Sequence, residues 1–147
     1  VLMTSLRDLT IVIPSYGRQD FLARQISYWS NSSAHVLIVD GSPTSLVPQG
    51  LAPNIDYRHV PRDFFDRMTH ASDAVRTKYV ALLGDDDLYL QSGLARCVEY
   101  LESHQNDVGV VGRSLYFFFQ EGRVFAREKN PESKNYHASI KTGLERL

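Results

Sequence analysis

The chain has 147 residues, with 16 Lys and Arg against 17 Asp and Glu and a formal net charge of −1. This length suits one compact domain. The balanced charge excludes a dedicated nucleic-acid binder, because such proteins carry a clustered basic face and the Lys and Arg here are spread along the chain. Cys97 is the only cysteine, which excludes intrachain disulfides and cysteine-rich metal sites.

The sequence carries no sign of export or membrane insertion. No apolar run approaches the ~20 residues that span a bilayer. The stretch before Arg7 is too short for the core of a signal peptide. We therefore expect a cytoplasmic protein, and the single cysteine fits a reducing compartment.

Two apolar runs in the first third of the chain predict parallel strands. Residues 9–14 (LTIVIP) and 35–40 (HVLIVD) are nearly continuous, which is typical of strands covered on both faces. Residues 20–30, between them, carry apolar side chains at intervals of four and three, which predicts a helix. Because a strand–helix–strand unit crosses over right-handedly, both strands point their carboxyl ends the same way.

The rest of the chain continues this alternation. After a loose, proline-containing segment, the pattern predicts a strand at 56–60, a helix at 63–76, a strand at 79–83 and a helix at 90–104. Residues 108–120 form the longest β-rich run, and Glu121-Gly122 predicts a hairpin turn before RVFA. After Glu128 the sequence is polar, with a final helix expected only near its end. The alternation predicts an α/β fold with helices on the faces of a mainly parallel sheet.

Polar residues follow three of the predicted strands. The first strand leads into Pro14, Ser15, Tyr16, Gly17 and Arg18, the second into Asp40, Gly41 and Ser42, and the fourth into Asp85, Asp86 and Asp87. Ligands of open parallel sheets bind outside the carboxyl ends of the strands, so these loops are expected to form one site. A nucleotide could stack on Tyr16, hydrogen-bond its base to Asp40 and meet a divalent cation at the acidic triplet.

The acidic triplet is the most informative of these features. Three adjacent carboxylates repel one another, and Mg²⁺ or Mn²⁺ relieves that repulsion by binding one or two of them together with phosphate oxygens. The alternative is structural, since acidic residues between a strand and a helix also cap the helix and complement its dipole. Three of them directly after a buried strand and Gly84 favour the functional interpretation.

The other polar residues have structural alternatives. Asp40 before Gly-Ser is also typical of an Asx turn, and Tyr16 and Arg18 could simply pack on the rim of the sheet. Arg62 and Arg67 could reach phosphates, although a solvated helix face is the simpler expectation for both. His59 and His70 are expected to be structural, and no HExxH spacing supports a zinc site.

The segments LTIVIPSYGR, HVLIVDGS and YVALLGDDDLY together resemble the N-terminal half of family-two inverting glycosyltransferases with the GT-A fold. The resemblance covers about residues 8–120, the donor-nucleotide part, and makes 121–147 the start of an acceptor-side part. It implies a Rossmann-like, three-layer fold. One departure is the single Asp40, where many relatives carry two aspartates.

The resemblance also implies roles for individual residues. Tyr16 and Arg18 would lie by the nucleoside with Pro14 and Ser15, Asp40 would bind the base, and Asp85 the ribose. Asp86 and Asp87 would bind Mg²⁺ or Mn²⁺, and Asp86 would also lie against the nucleotide. The implied partners are a nucleoside-diphosphate sugar donor and a carbohydrate or other hydroxyl acceptor that the sequence does not identify.

The family's catalytic base is an Asp or Glu on the acceptor side, beyond the fifth strand. By this resemblance we expect it downstream of Leu147, so the chain is expected to be an incomplete glycosyltransferase domain. Its four successive aromatics at 116–119 are then expected to be exposed and to favour self-association. Two alternatives remain open: a non-catalytic nucleotide-binding or assembly module, and a metal-dependent enzyme of phosphate chemistry.

Overall fold

Parallel strands built from the apolar runs form the centre of the first part of the chain. The computed structural model describes residues 5–46 and 48–128. The chain divides into two compact units, Val1–Val110 and Val111–Leu147, which are described separately. Within the described residues, no helix is long and apolar enough to cross a membrane.

The first unit alternates strands and helices in the predicted order. Its elements are β1 (Leu9–Ser15), α1 (Gln19–Trp29), β2 (His35–Asp40), β3 (Ile55–His59), α2 (Phe64–Ala74), β4 (Tyr79–Leu82) and α3 (Gln91–Ser103). The four strands form one parallel sheet in the order β3-β2-β1-β4. The predicted α/β class and its parallel sheet are confirmed.

Helices cover both faces of this sheet. Alternate side chains of β1 point to opposite faces, so Ile11 and Ile13 pack with α1 and α3, whereas Val12 packs with α2. The fully buried Trp29 at the end of α1 belongs to the first of these two cores. Burial on both faces explains why β1 and β2 read as continuous apolar runs.

The predicted end of β1 at Pro14 is wrong by one residue. Pro14 lacks the N–H that a central strand needs, yet β1 continues to Ser15, which pairs with Asp40. The Val12 carbonyl accepts from Leu83, so Pro14, two residues later, also faces the β4 side. Because β4 pairs with β1 only as far as Val12, the missing donor of Pro14 costs no ladder hydrogen bond.

The strand order places a switch point at β1. The chain moves outward from β1 to β2 and β3, then returns through α2 to β4 on the other side of β1. The loops after β1, β2 and β4 therefore leave the same edge of the sheet from neighbouring strands. This is the edge at which open parallel sheets bind ligands.

Helix α2 departs from its predicted apolar face. Ala71 is buried and Met68 packs beside it, as its spacing indicates. Phe65 is instead 80% exposed. The two phenylalanines that open the helix are adjacent, and adjacent helical positions differ by about 100°, so both cannot face the sheet.

The second unit contains an antiparallel hairpin, β5 (Leu115–Gln120) and β6 (Arg123–Glu128). Glu121 and Gly122 both have positive φ, of 49° and 72°, which is the backbone of a type I′ turn. The predicted hairpin is thus confirmed, but its first strand begins at 115 rather than 108. Gly109 and Gly112 interrupt the earlier stretch, since glycine weakens strands. Residues 129–147, with the predicted final helix, lie outside the described residues.

Apolar side chains of the hairpin are exposed. Its paired register puts Phe117, Phe119 and Val124 on one face, and Tyr116, Phe118 and Phe125 on the other. The rings of Phe118 and Phe125 stack at 5.3 Å, and Phe119 is 80% exposed. Contiguous apolar surface of this kind favours association between molecules.

We predict that Phe119→Ser reduces self-association of the chain, because it removes an apolar side chain from the middle of one hairpin face. Phe65→Ser is the matched control, since Phe65 is equally exposed but lies on helix α2, beside Phe64, and outside the hairpin. Light scattering over a concentration series measures the effect. Equal scattering by both variants and the parent chain would contradict the prediction.

Candidate functional site

The acidic turn after β4 lies against the end of β1. Asp85 is only 6% exposed, and its Oδ2 accepts a 2.6 Å hydrogen bond from the Ser15 hydroxyl. Its other oxygen, Oδ1, lies 3.1 Å from a terminal nitrogen of Arg18. Asp86 and Asp87 are exposed. The loops after β1 and β4, which the sequence predicts to converge, are therefore in direct contact.

Arg18 supplies the positive charge of this cluster. The same guanidinium nitrogen that meets Asp85 also lies 3.0 Å from Asp86 Oδ2. Hydrogen bonds to Asp85 and then Asp86 raise the pKa of Arg18 above its usual value. Arg18 thus partly offsets the repulsion within the triplet, instead of merely packing on the sheet rim.

Helix α1 holds the backbone of the acidic turn from inside the protein. The fully buried Gln25 donates from Nε2 to the carbonyls of Asp85 at 3.0 Å and Asp87 at 2.6 Å. Its Oε1 accepts from the indole nitrogen of Trp29 at 3.0 Å. Arg24 donates to the carbonyl of Asp86 at 2.9 Å. The turn's carbonyls are therefore engaged by α1.

Gln25 was not among the residues predicted for the site. Its one signal in the sequence is a polar residue on the apolar face of α1, three residues after Leu22 and four before Trp29. A buried amide must find partners for both its donor and its acceptor. The partners of its donor nitrogen lie about sixty residues away in the chain, where the sequence pattern cannot locate them.

The acidic triplet does not cap α3. The residue before that helix is Leu90, and the helix start receives no hydrogen bond from a capping side chain. The structural alternative for the triplet therefore fails in its simplest form. The three carboxylates lie at the edge of the sheet and do not cap the helix that follows.

The donor set of the turn fits a cation shared with a ligand. Among residues 5–46 and 48–128, no group of three or more His, Cys, Asp or Glu side chains is arranged to hold a metal ion. The turn offers the exposed carboxylates of Asp86, one oxygen of which meets Arg18, and of Asp87, while Asp85 is engaged by Ser15 and Arg18. Mg²⁺ is commonly held by one or two carboxylates plus phosphate oxygens, and this turn matches that pattern.

Asp40 lies in a closed network at the end of β2. It is fully buried, and its Oδ1 accepts from the amide of Ser42 at 2.9 Å and from the Ser42 hydroxyl at 2.5 Å. Its Oδ2 accepts from the Tyr57 hydroxyl at 2.7 Å. The contact to the Ser42 amide is an Asx turn. Asp40 therefore makes the contacts expected of a turn residue, which was the structural alternative to base binding.

A cleft of about 470 Å³ opens between the loop after β1 and the loop after β2. Its lining includes Arg18, Phe21, Ser42 and Thr44. The backbone amide of Gly17 donates to the Ser42 hydroxyl at 2.8 Å, and the side-chain Nε2 of Gln19 donates to the Thr44 carbonyl at 2.8 Å. These two hydrogen bonds join the walls of the cleft.

Tyr16 and Pro14 lie at the same edge of the sheet as the cleft. Tyr16, in the first loop, is 61% exposed. Pro14 lies inside β1, paired with Val39. Of the predicted residues, Ser15, Arg18, Asp85 and Asp86 are thus in direct contact, and the Ser42–Gly17 hydrogen bond ties the Asp40 network to the first loop.

The expectation of a solvated position for Arg67 is wrong. Arg67 is only 7% exposed, and its guanidinium donates to the carbonyls of Ser15 and Asp63. A Cβ on Gly41 would lie 2.7 Å from Arg67 Nε, so this close approach requires glycine. Helix α2 thus places a buried positive charge behind the ends of β1 and β2.

The neighbouring polar residues fit their structural expectations. Arg62 is exposed, just before the start of α2, and lies 3.9 Å from Asp66 in the first turn of that helix. His70 lies 3.3 Å from Arg58, and His59 lies 2.6 Å from the Ser42 carbonyl. None of them lies in a cluster that could hold zinc among the described residues.

An open parallel sheet with an acidic turn and a cleft at its switch point defines a class of α/β domains that bind ligands outside the carboxyl ends of the strands. A family model described as glycosyl transferase family 2 matches residues 10–144. The chain belongs to that family. A search of curated proteins found no significant match.

We predict that Gln25→Met destabilises the protein by about 1–3 kcal/mol, because it removes a donor to the carbonyls of Asp85 and Asp87 and the acceptor of the Trp29 indole N–H. Gln19→Met is the control, since Gln19 also donates to a backbone carbonyl from α1 but at an exposed position. We expect the control to change stability by less than about 0.5 kcal/mol. Urea unfolding followed by circular dichroism compares the two, and equal losses would contradict the prediction.

Proposed function

We propose that this domain binds a nucleoside-diphosphate sugar and transfers its sugar, with inversion, to an acceptor hydroxyl with the help of Mg²⁺ or Mn²⁺. Membership of glycosyl transferase family 2 supports glycosyl transfer in general. The observation that carries the more specific proposal is the acidic turn. Its carboxylates meet Arg18 at the switch point of the sheet, beside a cleft formed by the first two loops.

The proposed roles follow the positions of the side chains. The exposed Tyr16, with Pro14 and Ser15 beside it, is assigned to the nucleoside, and Arg18 to the nucleotide beside the acidic turn. Asp85 is assigned to the ribose. Because Asp85 is largely buried and engaged by Ser15, it contributes from a fixed position.

Asp86 and Asp87 are the proposed cation ligands, and Asp86 also adjoins the nucleotide. They are the exposed members of the triplet, so they can share a cation with phosphate oxygens. When bound, the cation stabilises negative charge on the departing nucleoside diphosphate. Arg18 adds a second positive charge beside the same carboxylates.

Asp40 is the proposed residue at the base end of the site. Because it is fully buried and both its oxygens accept hydrogen bonds, its observed contribution is to order the loop after β2. A direct hydrogen bond to the base would require this loop to shift. We assign no catalytic base among the described residues.

We predict that Mn²⁺ tightens binding of uridine diphosphate at least about tenfold over binding in chelator, because carboxylates and diphosphate share the ion. Asp86→Ala and Asp87→Ala should each remove most of this gain. Asp73→Ala is the control, since Asp73 is an exposed aspartate on α2 outside the proposed site. Calorimetry with and without Mn²⁺ measures the gain.

Equal affinity in Mn²⁺ and in chelator would remove the metal from the proposal. If Asp73→Ala loses as much of the Mn²⁺-dependent gain in affinity as Asp86→Ala does, the acidic turn is not the cation site. Transfer of radiolabelled sugar to an acceptor separates a transferase from the alternative, a module that binds the nucleotide without catalysis.

A further inference from the structure

We propose that Tyr57, together with His59, is a positioning residue for the nucleoside end of the cleft. Both lie on β3, the edge strand farthest from the acidic turn, and both hold the loop that follows β2. This inference rests on the proposed function, because it names the residues that order one wall of the nucleotide site.

The Tyr57 hydroxyl joins the end of β2 to Leu46, a residue inside the loop that follows. It donates to Asp40 Oδ2 at 2.7 Å and accepts from the amide of Leu46 at 2.9 Å. A phenol has one proton to donate and lone pairs to accept, so both contacts form at once. Burial raises the pKa of Tyr57, and the contact with Asp40 acts in the same direction, so the hydroxyl keeps its donor proton at neutral pH.

His59 contacts the start of the same loop, at Ser42. Its Nε2 lies 2.6 Å from the carbonyl of Ser42, and because a carbonyl only accepts, this nitrogen carries the proton. Tyr57 and His59 are two residues apart on a strand, so their side chains leave the same face of the sheet. The Val60 amide adds a hydrogen bond of 2.7 Å to the Asp40 carbonyl.

Contacts lead from Tyr57 to the cleft without a break. Tyr57 holds Asp40, Asp40 holds Ser42, and the Ser42 hydroxyl accepts from the Gly17 amide at 2.8 Å. Gly17 has φ of +67°, a backbone that other residues rarely adopt, and it directly precedes Arg18. The position of Asp40 therefore determines how the two cleft walls meet.

The Tyr57 hydroxyl can be removed with little disturbance to the core. The ring of Tyr57 packs against the same core as Ile55, and this packing is kept in Tyr57→Phe. Tyr79→Phe is a matched control, since its hydroxyl also donates to a carboxylate, that of Glu102 at 2.9 Å. Tyr79 begins β4, so it lies at the opposite edge of the sheet from the cleft.

The test separates the nucleoside end from the diphosphate end. Tyr57→Phe should weaken uridine diphosphate binding about tenfold in Mn²⁺ and in chelator alike, because the nucleotide then binds only the fraction of molecules in which the loop after β2 is ordered. Binding of pyrophosphate with Mn²⁺ should stay within about twofold of the parent chain, since the acidic turn is untouched. Tyr79→Phe should change neither affinity.

A second pair of variants tests His59 and stands in for Tyr57→Phe if that variant fails to fold. His59→Leu removes the donor to Ser42, and His59→Gln keeps an N–H in reach, so the glutamine variant should recover most of the lost uridine diphosphate affinity. Equal weakening of uridine diphosphate and Mn²⁺-pyrophosphate binding, or no weakening of either, would overturn the inference. Absence of binding by the parent chain of uridine diphosphate and of the other nucleoside diphosphates would instead overturn the proposed function.

Discussion

The buried amide of Gln25 is the interaction on which the geometry of the site depends. The Gln25 amide accepts a hydrogen bond from Trp29, which lies fully inside the core, and donates to two carbonyls of the acidic turn. The turn is therefore held through its backbone. Its outer carboxylates, Asp86 and Asp87, remain exposed at the sheet edge, where a cation and a diphosphate can reach them.

The two ends of the site share one short loop. Ser15 and Arg18 bind the acidic turn, while Gly17, between them, binds Ser42 and through it the Asp40 network. The proposed donor carries a nucleoside and a diphosphate in one molecule. A loop bonded on both sides keeps the two subsites at a constant spacing, because neither wall can move without breaking hydrogen bonds to the other.

Most of the fold was predictable from local pattern, and much of the site was not. Continuous apolar runs predict strands covered on both faces, and the rule for parallel sheets then predicts which loops converge. The roles of Gln25, Arg67 and Tyr57 depend on partners that are distant in sequence or on another element. Polar side chains in helices and strands look solvated until packing buries them, so periodicity assigns Arg67 to the surface.

The most direct test of the central claim, that the ends of β1, β2 and β4 form one nucleotide site, is an amide NMR titration of the chain with uridine diphosphate and Mg²⁺. The account predicts shifts concentrated in residues 15–19, 41–46 and 84–87. A second cleft of similar volume lies beside α2, lined in part by Arg62, Thr69 and Asp73. Shifts confined to that cleft, or an absence of shifts in the three loops, would contradict the claim.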